Sequence, residues 1–556
     1  MLSRSSSPTQ PEVNNVRPIL VCVFICIGAF IFGWDTACIS GALVMEDFEA
    51  RFGVMQADGS YALGATRESL IVSFLSIGTF LGSLLQSYTT DKLGRKWSIC
   101  LWSAIFTVGG VIQTACFYSI WQLLIGRLVA GLGVGALSAL VTLFAGEVAP
   151  KHLRGPLLTM YTVMNTCGIF LAYIVSLGTS YFSSSASWRV PVGLQVPLGL
   201  VLTVGIMWIP DSPRRLLYLG REEEARKAIA FINGIPETAG QVDELIVELQ
   251  IGIAKENEGG QAGWLDLFGP EVRSRVIHGM MLQTFQQFSG QNFYYYFSGT
   301  FFESTGTGLS PWEIQAVMGG VVLAFVPCAL WVIDHLGRRK GLMIGGGVQA
   351  VCAFVAALAG HFLMAPQGTP EDQLTSRNRT GGSIMVAFAL THLAAYSGIS
   401  GSIPWTVLGE SFPTRIRAKA VSIGTAANWL WNFIIAFFTP RIVNRIGPLI
   451  LLIFSGMLVL QILYTYFFLR ETRGLSLEEV DEMYRAHVKP WRSSSWQPSS
   501  GRPRGGLALA PAVTTSSGKT LTGSSEKVVE VFGSHSIGKK DKLSGERRSL
   551  DTVDSV

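Results

Sequence analysis

An all-α membrane protein of twelve transmembrane helices, arranged as two six-helix pseudo-symmetric halves with a helical linker between them, is the fold class this sequence predicts. Three observations predict it. Apolar runs long enough to span a bilayer recur along the chain, the same short motifs appear in the same order in both halves, and charge is depleted. Hydrophobic residues make up 49% of the 556 and charged ones 15%, against about 25% charged in a soluble globular protein.

A bilayer core of about 30 Å needs about 20 mostly apolar residues per helix. On that rule the spans are 18–42, 68–90, 97–117, 120–143, 156–181, 189–209, 276–301, 314–333, 341–364, 383–407, 420–440 and 447–469. A segment in lipid has to satisfy its own backbone groups, so these are helices. Residues 1–17 are a polar N-terminal segment, with no cleavable signal expected. The first six spans form a bundle over 18–210 and the last six a second over 276–469. Between them, 211–275 is polar, and its apolar residues recur at helical spacing through 225–254, which predicts amphipathic helices. Residues 470–556 are expected to be a cytosolic C-terminal helix followed by a Ser-, Gly- and Lys-rich disordered tail.

The net charge of +5 is modest, and the basic residues cluster in short segments between apolar runs: 91–96, 334–340 and 415–419. That pattern sets membrane orientation rather than nucleic-acid binding, and places both termini in the cytosol. The sequon Asn378-Arg379-Thr380 then falls outside. The eight cysteines show no C-x-x-C spacing, so they predict small core residues rather than a zinc site or disulfide framework. No cofactor is expected. His361 and His392 have no second ligand spaced for a metal and predict packed or hydrogen-bonded roles. Gly126, Gly131, Gly133 and Gly135 lie mid-helix with no preceding strand, which predicts close helix packing rather than a phosphate loop.

The repeat is explicit. Asp91-Lys92-Leu93-Gly94-Arg95-Lys96 follows the second span, and Asp334-His335-Leu336-Gly337-Arg338-Arg339 the eighth. Glu147, Pro150 and Arg154 follow the fourth, and Glu410, Pro413 and Arg417 the tenth at identical spacing. Pro210-Asp211-Ser212-Pro213-Arg214 ends the sixth, and Arg470-Glu471-Thr472-Arg473-Gly474 the twelfth. Duplicated halves of this kind hold a site near the bilayer midplane and rock about it. The paired charges Asp91, Arg95, Glu147, Arg154, Asp334, Arg338, Glu410 and Arg417 predict a cytosolic gate; topology alone requires only the basic ones.

Polar groups inside spans are costly and mark a cavity or a helix–helix bridge. Gln283, Gln286, Gln287 and Asn292 put four amides into the seventh span, and Asn428 another into the eleventh. Asp35 and Arg127 are charges inside the first and fourth. At about 1.5 Å per residue, Asp35 sits roughly 25 Å from the cytosolic end and Arg127 roughly 20 Å, so contact is allowed. A permanent structural pair and a functional one both fit that placement.

Taken together, Phe32-Gly33-Trp34-Asp35-Thr36, Gln283 with Gln286-Gln287, Gly290, Asn292 and Tyr296, Asn428-Trp429-Leu430-Trp431-Asn432, and Glu471-Thr472-Arg473-Gly474 resemble the sugar-porter branch of the major facilitator superfamily, and fungal hexose transporters within it. The resemblance covers about 18–498. It implies a monosaccharide substrate such as glucose, bound by Gln283, Gln286, Gln287, Asn292, Tyr296, Asn428, Trp429, Phe32 and Thr162. It further implies a proton partner handled by Asp35 and Arg127, as in proton-coupled relatives. A facilitative uniporter and a non-transporting sugar sensor are the alternatives. The chain departs from the family at Thr162, where a glutamine is usual, at Val322, where several relatives have asparagine, and at Ser400, where tryptophan is frequent. Asn165, one turn from Thr162, stands in for the missing amide. No nucleophile–base pair or metal cluster predicts an enzyme.

Overall fold

The computed structural model describes residues 16–56, 61–150, 154–258, 263–270, 272–302, 309–364, 375–412, 414–475 and 477–499. The N-terminal segment up to residue 15 and the tail beyond 499 lie outside them. The spanning helices are α1 (Val16–Ala42), α2 (Ala65–Leu93), α3 (Arg95–Thr114), α4 (Ile120–Val148), α5 (Arg154–Thr179), α6 (Ala186–Trp208), α7 (Arg273–Gln287 and Gln291–Phe302), α8 (Pro311–His335), α9 (Arg338–Leu363), α10 (Ser376–Glu410), α11 (Thr414–Ile446) and α12 (Ile450–Phe468). Two short strands, Val54–Met55 and Tyr61–Ala62, pair antiparallel between α1 and α2.

Ten helical stretches among the described residues are long and apolar enough to cross a membrane. They contain eleven of the twelve expected spans, because the stretch Lys419–Phe468 holds α11 and α12 with a joint at Gly447-Pro448. The remaining span is α7. It fails on apolarity because of its amides, and it is broken at 288–290, where Gly290 adopts φ +90°. A second irregularity interrupts α10, which passes through a π-turn at Tyr396–Ser400.

Between α6 and α7 the polar stretch folds as helices Pro213–Tyr218, Glu222–Asn233 and Gly240–Glu258. Ala225, Ala228, Ile229 and Ile232 bury one face of the second, and Val242 and Ile246 meet Ile229 from the third. This end of the bundle is called the linker end, and the opposite end the far end. After α12, the helix Leu477–Arg485 docks on the linker end. There Tyr484 lies between the guanidiniums of Arg275 and Arg470, 4.4 and 4.3 Å from its ring centre, and Arg275 pairs with Asp481 at 2.7 Å.

The glycines of α4 explain how the N-terminal half packs. A Cβ at Gly131 would stand 2.3 Å from the Leu75 carbonyl of α2, and one at Gly135 2.1 Å from that of Thr79. A Cβ at Gly133 would strike the backbone and Cβ of α3. Backbone approach this close needs small residues, and dispersion between the helices then replaces contact with lipid.

The two halves meet at the far end. Trp312 of α8 donates to the Gly41 carbonyl of α1 at 3.1 Å, and Gln315 donates to the Ser40 hydroxyl at 3.2 Å. Tyr173 of α5 donates to the Tyr295 carbonyl of α7 at 3.1 Å, and Thr300 of α7 to Glu68 of α2 at 2.9 Å. One aromatic-rich core runs through this region, with Trp34, Phe48 and Trp188 from the first half and Phe293, Tyr294 and Phe301 from the second. The bundle is therefore closed at the far end.

Two expectations are corrected, His361 as a packed residue and Cys328 as a small core residue. His361 is exposed near the end of α9, with its ring 4.9 Å from that of Phe362, so it is not a packed interior residue. His392 is fully buried, with Nδ1 3.2 Å from the Gln349 carbonyl, as expected. Among the cysteines, Cys328 is exposed on α8, while Cys22, Cys26, Cys38, Cys116 and Cys352 are buried.

Candidate functional site

The break in α7 turns its amides toward α11. Asn428 is the hub: its Nδ2 donates to Gln283 Oε1 at 2.7 Å and to Gln286 Oε1 at 2.9 Å, while its Oδ1 accepts from Gln287 Nε2 at 2.7 Å. Gln287 Oε1 accepts from Asn292, and from Asn432 at 3.3 Å. Asn432 exchanges longer bonds with the Tyr296 hydroxyl and accepts from Ser76 of α2 at 2.7 Å. Gln283, Gln286, Gln287, Asn292, Tyr296, Asn428 and Asn432 are all buried. An unbroken chain of hydrogen bonds thus runs through the amides of the second half and reaches the first half at the Ser76 hydroxyl. Unpaired, each amide would cost about 1–3 kcal/mol in an apolar interior.

Beside this network, Trp429 of α11 meets Phe32 of α1 edge-on at 5.5 Å between ring centres, which is a second contact across the halves. The Trp429 indole N–H and Gln283 Nε2 are buried without a partner among the described residues, as is Asn165 Oδ1 on α5. These atoms supply donors and an acceptor beyond those spent within the network. The arrangement can exchange hydrogen bonds with a ring of hydroxyls and offer an aromatic face to its apolar side.

Thr162 is not joined to the network by a side-chain hydrogen bond among the described residues; its carbonyl accepts from the Thr166 hydroxyl at 2.9 Å. Ser400 is committed elsewhere, accepting from Gln349 of α9 at 2.5 Å, and Val322 is buried. Sequence reasoning assigned no site role to Asn432, Ser76 or Gln291, which donates to Asn292 at 2.7 Å. The signal for Asn432 was present, since it lies four residues after Asn428 and therefore on the same helical face.

Asp35 and Arg127 meet. Arg127 Nη1 is 2.9 Å from Asp35 Oδ1, both side chains are fully buried, and Arg127 Nε donates to the Ile71 carbonyl at 3.2 Å. Asp35 Oδ2 and Arg127 Nη2 have no partner among the described residues, so the pair is joined through one bond only. Gln195 of α6 is also fully buried and donates to Cys38, one turn along α1 from Asp35, at 2.9 Å. It was missed, although an amide inside a span is the same signal that singled out α7.

At the linker end, Arg95 pairs with Glu147 at 2.7 Å and Arg338 with Glu410 at 2.6 Å. Each pair lies within one half, bracing α3 on α4 and α9 on α10. The repeated glycines Gly94 and Gly337 adopt φ +92° and +81°, a left-handed turn that any Cβ would strain. Asp211 and Glu471 occupy matching places behind them. Asp211 accepts from the Lys96 backbone at 3.2 Å, and Glu471 from the Arg338 and Arg339 backbones at 2.9 and 3.0 Å. Carboxylates at helix N-termini are favourably placed against the dipole. Asp91 and Asp334 are exposed and outside the ion pairs among the described residues. Arg417 is partly buried, and the side chain of Arg154 lies outside the described residues.

A family model described as sugar (and other) transporter matches residues 21–484. The chain belongs to that family. It is 39% identical over 495 residues to a low-affinity glucose transporter of Kluyveromyces lactis, covering 89% of this chain and 87% of the relative. It is 36% identical over 497 residues to a galactose transporter of Saccharomyces cerevisiae, covering 89% and 86%. Among solved structures, the major facilitator proton:xylose symporter XylE bound to 6-bromo-6-deoxy-D-glucose matches at a TM-score of 0.68 and 25% identity, over 84% of this chain and all of that one. The inward-open XylE of E. coli, at 23% identity and a TM-score of 0.67, shows the fold alone.

Proposed function

We propose that this chain carries a monosaccharide, a hexose such as glucose, across the plasma membrane by alternating access, with its linker end and both termini in the cytosol. The observation that carries the reading is the buried amide network of α7 and α11, set at the seam between two like-built halves. The relatives named for glucose and galactose transport support the substrate class. The functional units are the bundles 18–210 and 276–469, the cytosolic linker 211–275, and the flanking segments 1–17 and 470–556.

Sugar entering the seam exchanges its hydroxyls for the amide–amide bonds of Gln283, Gln286, Gln287, Asn292 and Asn428, with Phe32, Trp429 and Tyr296 beside the ring and Thr162 at the margin. The far-end contacts part in the outward-facing state and re-form in the state described above. Asp91, Arg95, Glu147, Arg154, Asp334, Arg338, Glu410 and Arg417 form the cytosolic rim that changes in the opposite phase. Asp35 is the proton site: protonated, it loses the charge that holds Arg127, and α1 and α4 are freed to move. Labelled glucose uptake in cells lacking their own hexose carriers tests both parts. Wild type accumulates sugar above the outside level and a protonophore abolishes this; Asp35→Asn only equilibrates it. Concentrative uptake by Asp35→Asn refutes Asp35 as the proton site, whereas a wild type that itself only equilibrates the sugar makes facilitated diffusion the function.

A sugar sensor is the second reading, favoured by the detachment of Thr162 and Ser400 from the amide network. Binding of glucose without uptake in the same cells establishes it.

A further inference from the structure

On the linker end of the first half is a groove of about 1120 Å³ that, apart from Asp91 at its edge, the transport reading does not use. It lies between the ends of α1, α2, α3 and α6 and the linker helix Glu222–Asn233. Its charges are not balanced. Asp211 is taken by Arg215 at 2.9 Å, and Glu224 faces Arg221 at 3.6 Å. Of the remaining charged residues that line it, Arg17, Lys92, Lys96 and Lys227 are cations, against Asp91 and Glu237. Arg17 and Lys227 are exposed, and they approach from opposite walls, α1 and the linker. Two tryptophans complete the lining: Trp97 near the start of α3 and Trp208 at the end of α6, 49% and 73% exposed. Tryptophan at the ends of spanning helices sits at the level of lipid headgroups.

We infer that this groove binds an anionic phospholipid of the leaflet facing the linker. The phosphate lies among Arg17, Lys96 and Lys227, and the acyl chains lie on the Trp97–Trp208 side. Three features select this occupant. The cation excess matches a phosphate. The volume suits a whole headgroup rather than a single small ion. The position is where a cytosolic leaflet presents its negative lipids, which attract basic residues near the surface. A lipid held there would reinforce the tie between the linker helix and the first half that Ile232, buried with Val21, Cys22 and Ile25, and the Arg17 stem packed on Gly234 already make.

The test uses purified full-length protein in phosphatidylcholine nanodiscs and a fluorescent dioctanoyl phosphatidylinositol 4-phosphate. Wild type binds the probe saturably, and unlabelled phosphatidylcholine does not compete. Removing two cations by Arg17→Gln with Lys227→Gln weakens binding about 30-fold. Arg17→Lys with Lys227→Arg restores it, which separates lost charge from lost folding. Arg379→Gln at the far end leaves binding unchanged. Equal binding by the Gln double variant, equal loss in Arg379→Gln, or failure of the charge-keeping variant to restore binding overturns the inference. Displacement by soluble inositol 1,4-bisphosphate at the probe's own concentration also overturns it, because the site would then take a free phosphate rather than a lipid.

Discussion

Asn428 hydrogen-bonds to Gln283, Gln286 and Gln287 together. Its importance was legible from sequence, because an amide inside an apolar span must be repaid by a partner. Ser76 was not, although it closes the network onto the first half. A serine in a helix ordinarily bonds its own preceding turn, so only a tertiary contact distinguishes it. Outside the spans, Asp47 shows the same dependence on partners. Burial alone pushes its carboxyl up, but hydrogen bonds from Arg51 at 2.6 Å and Trp188 at 2.8 Å, with the Arg51 charge, outweigh this and hold it below its usual range. A depressed folded pKa stabilises above the unfolded value of about 3.9, and that stabilisation is lost as pH falls through the folded value. Asp47→Asn is therefore expected to lower the melting temperature of purified protein at pH 7. The gap between variant and wild type should close as the pH is taken below about 4. A gap that widens in acid would reverse the assignment.

At the scale of elements, the break in α7 decides what the amides can reach. Positive φ at Gly290 ends the first segment, and a Cβ there would also stand 2.9 Å from the Phe454 ring of α12. The sequence read as one continuous span over 276–301, because glycine is common in membrane helices and does not by itself announce a turn. The polarity that lowered α7's claim to cross a membrane was the better clue. Gly290→Ala carries a backbone strain of roughly 1–3 kcal/mol on top of that contact. It is expected to reduce maximal glucose uptake several-fold at equal surface expression; unchanged uptake would mean that the break is dispensable. The glycines of α4 were read correctly as packing residues, since four within one span, with no strand before them, have no other physical use. The repeated linker-end motifs were legible as a pair, but the roles inside them were not. Asp91 and Asp334 stood out by spacing, yet among the described residues it is Asp211 and Glu471 that receive the backbone N–H groups.

For the molecule as a whole, the duplication in sequence predicted two six-helix halves, and the structure has them. Which end is closed was not written in the sequence, because one sequence serves every state of a rocking carrier and only the contacts formed select among them. The far-end bonds between α1 and α8 make that selection testable. Oxidising a Ser40→Cys, Gln315→Cys pair should stop glucose uptake, and a reductant should restore it, since the two side chains meet here only when the far end is shut. Uptake that persists after complete oxidation would show that this end need not open. The central claim is that the amides of α7 and α11 hold the sugar, and the concentration dependence of labelled glucose uptake by Asn428→Ala tests it most directly. Loss of one hub amide at about 1–3 kcal/mol should raise KM by about 5- to 150-fold, with the protein still at the cell surface. A KM equal to that of wild type would place the sugar somewhere else.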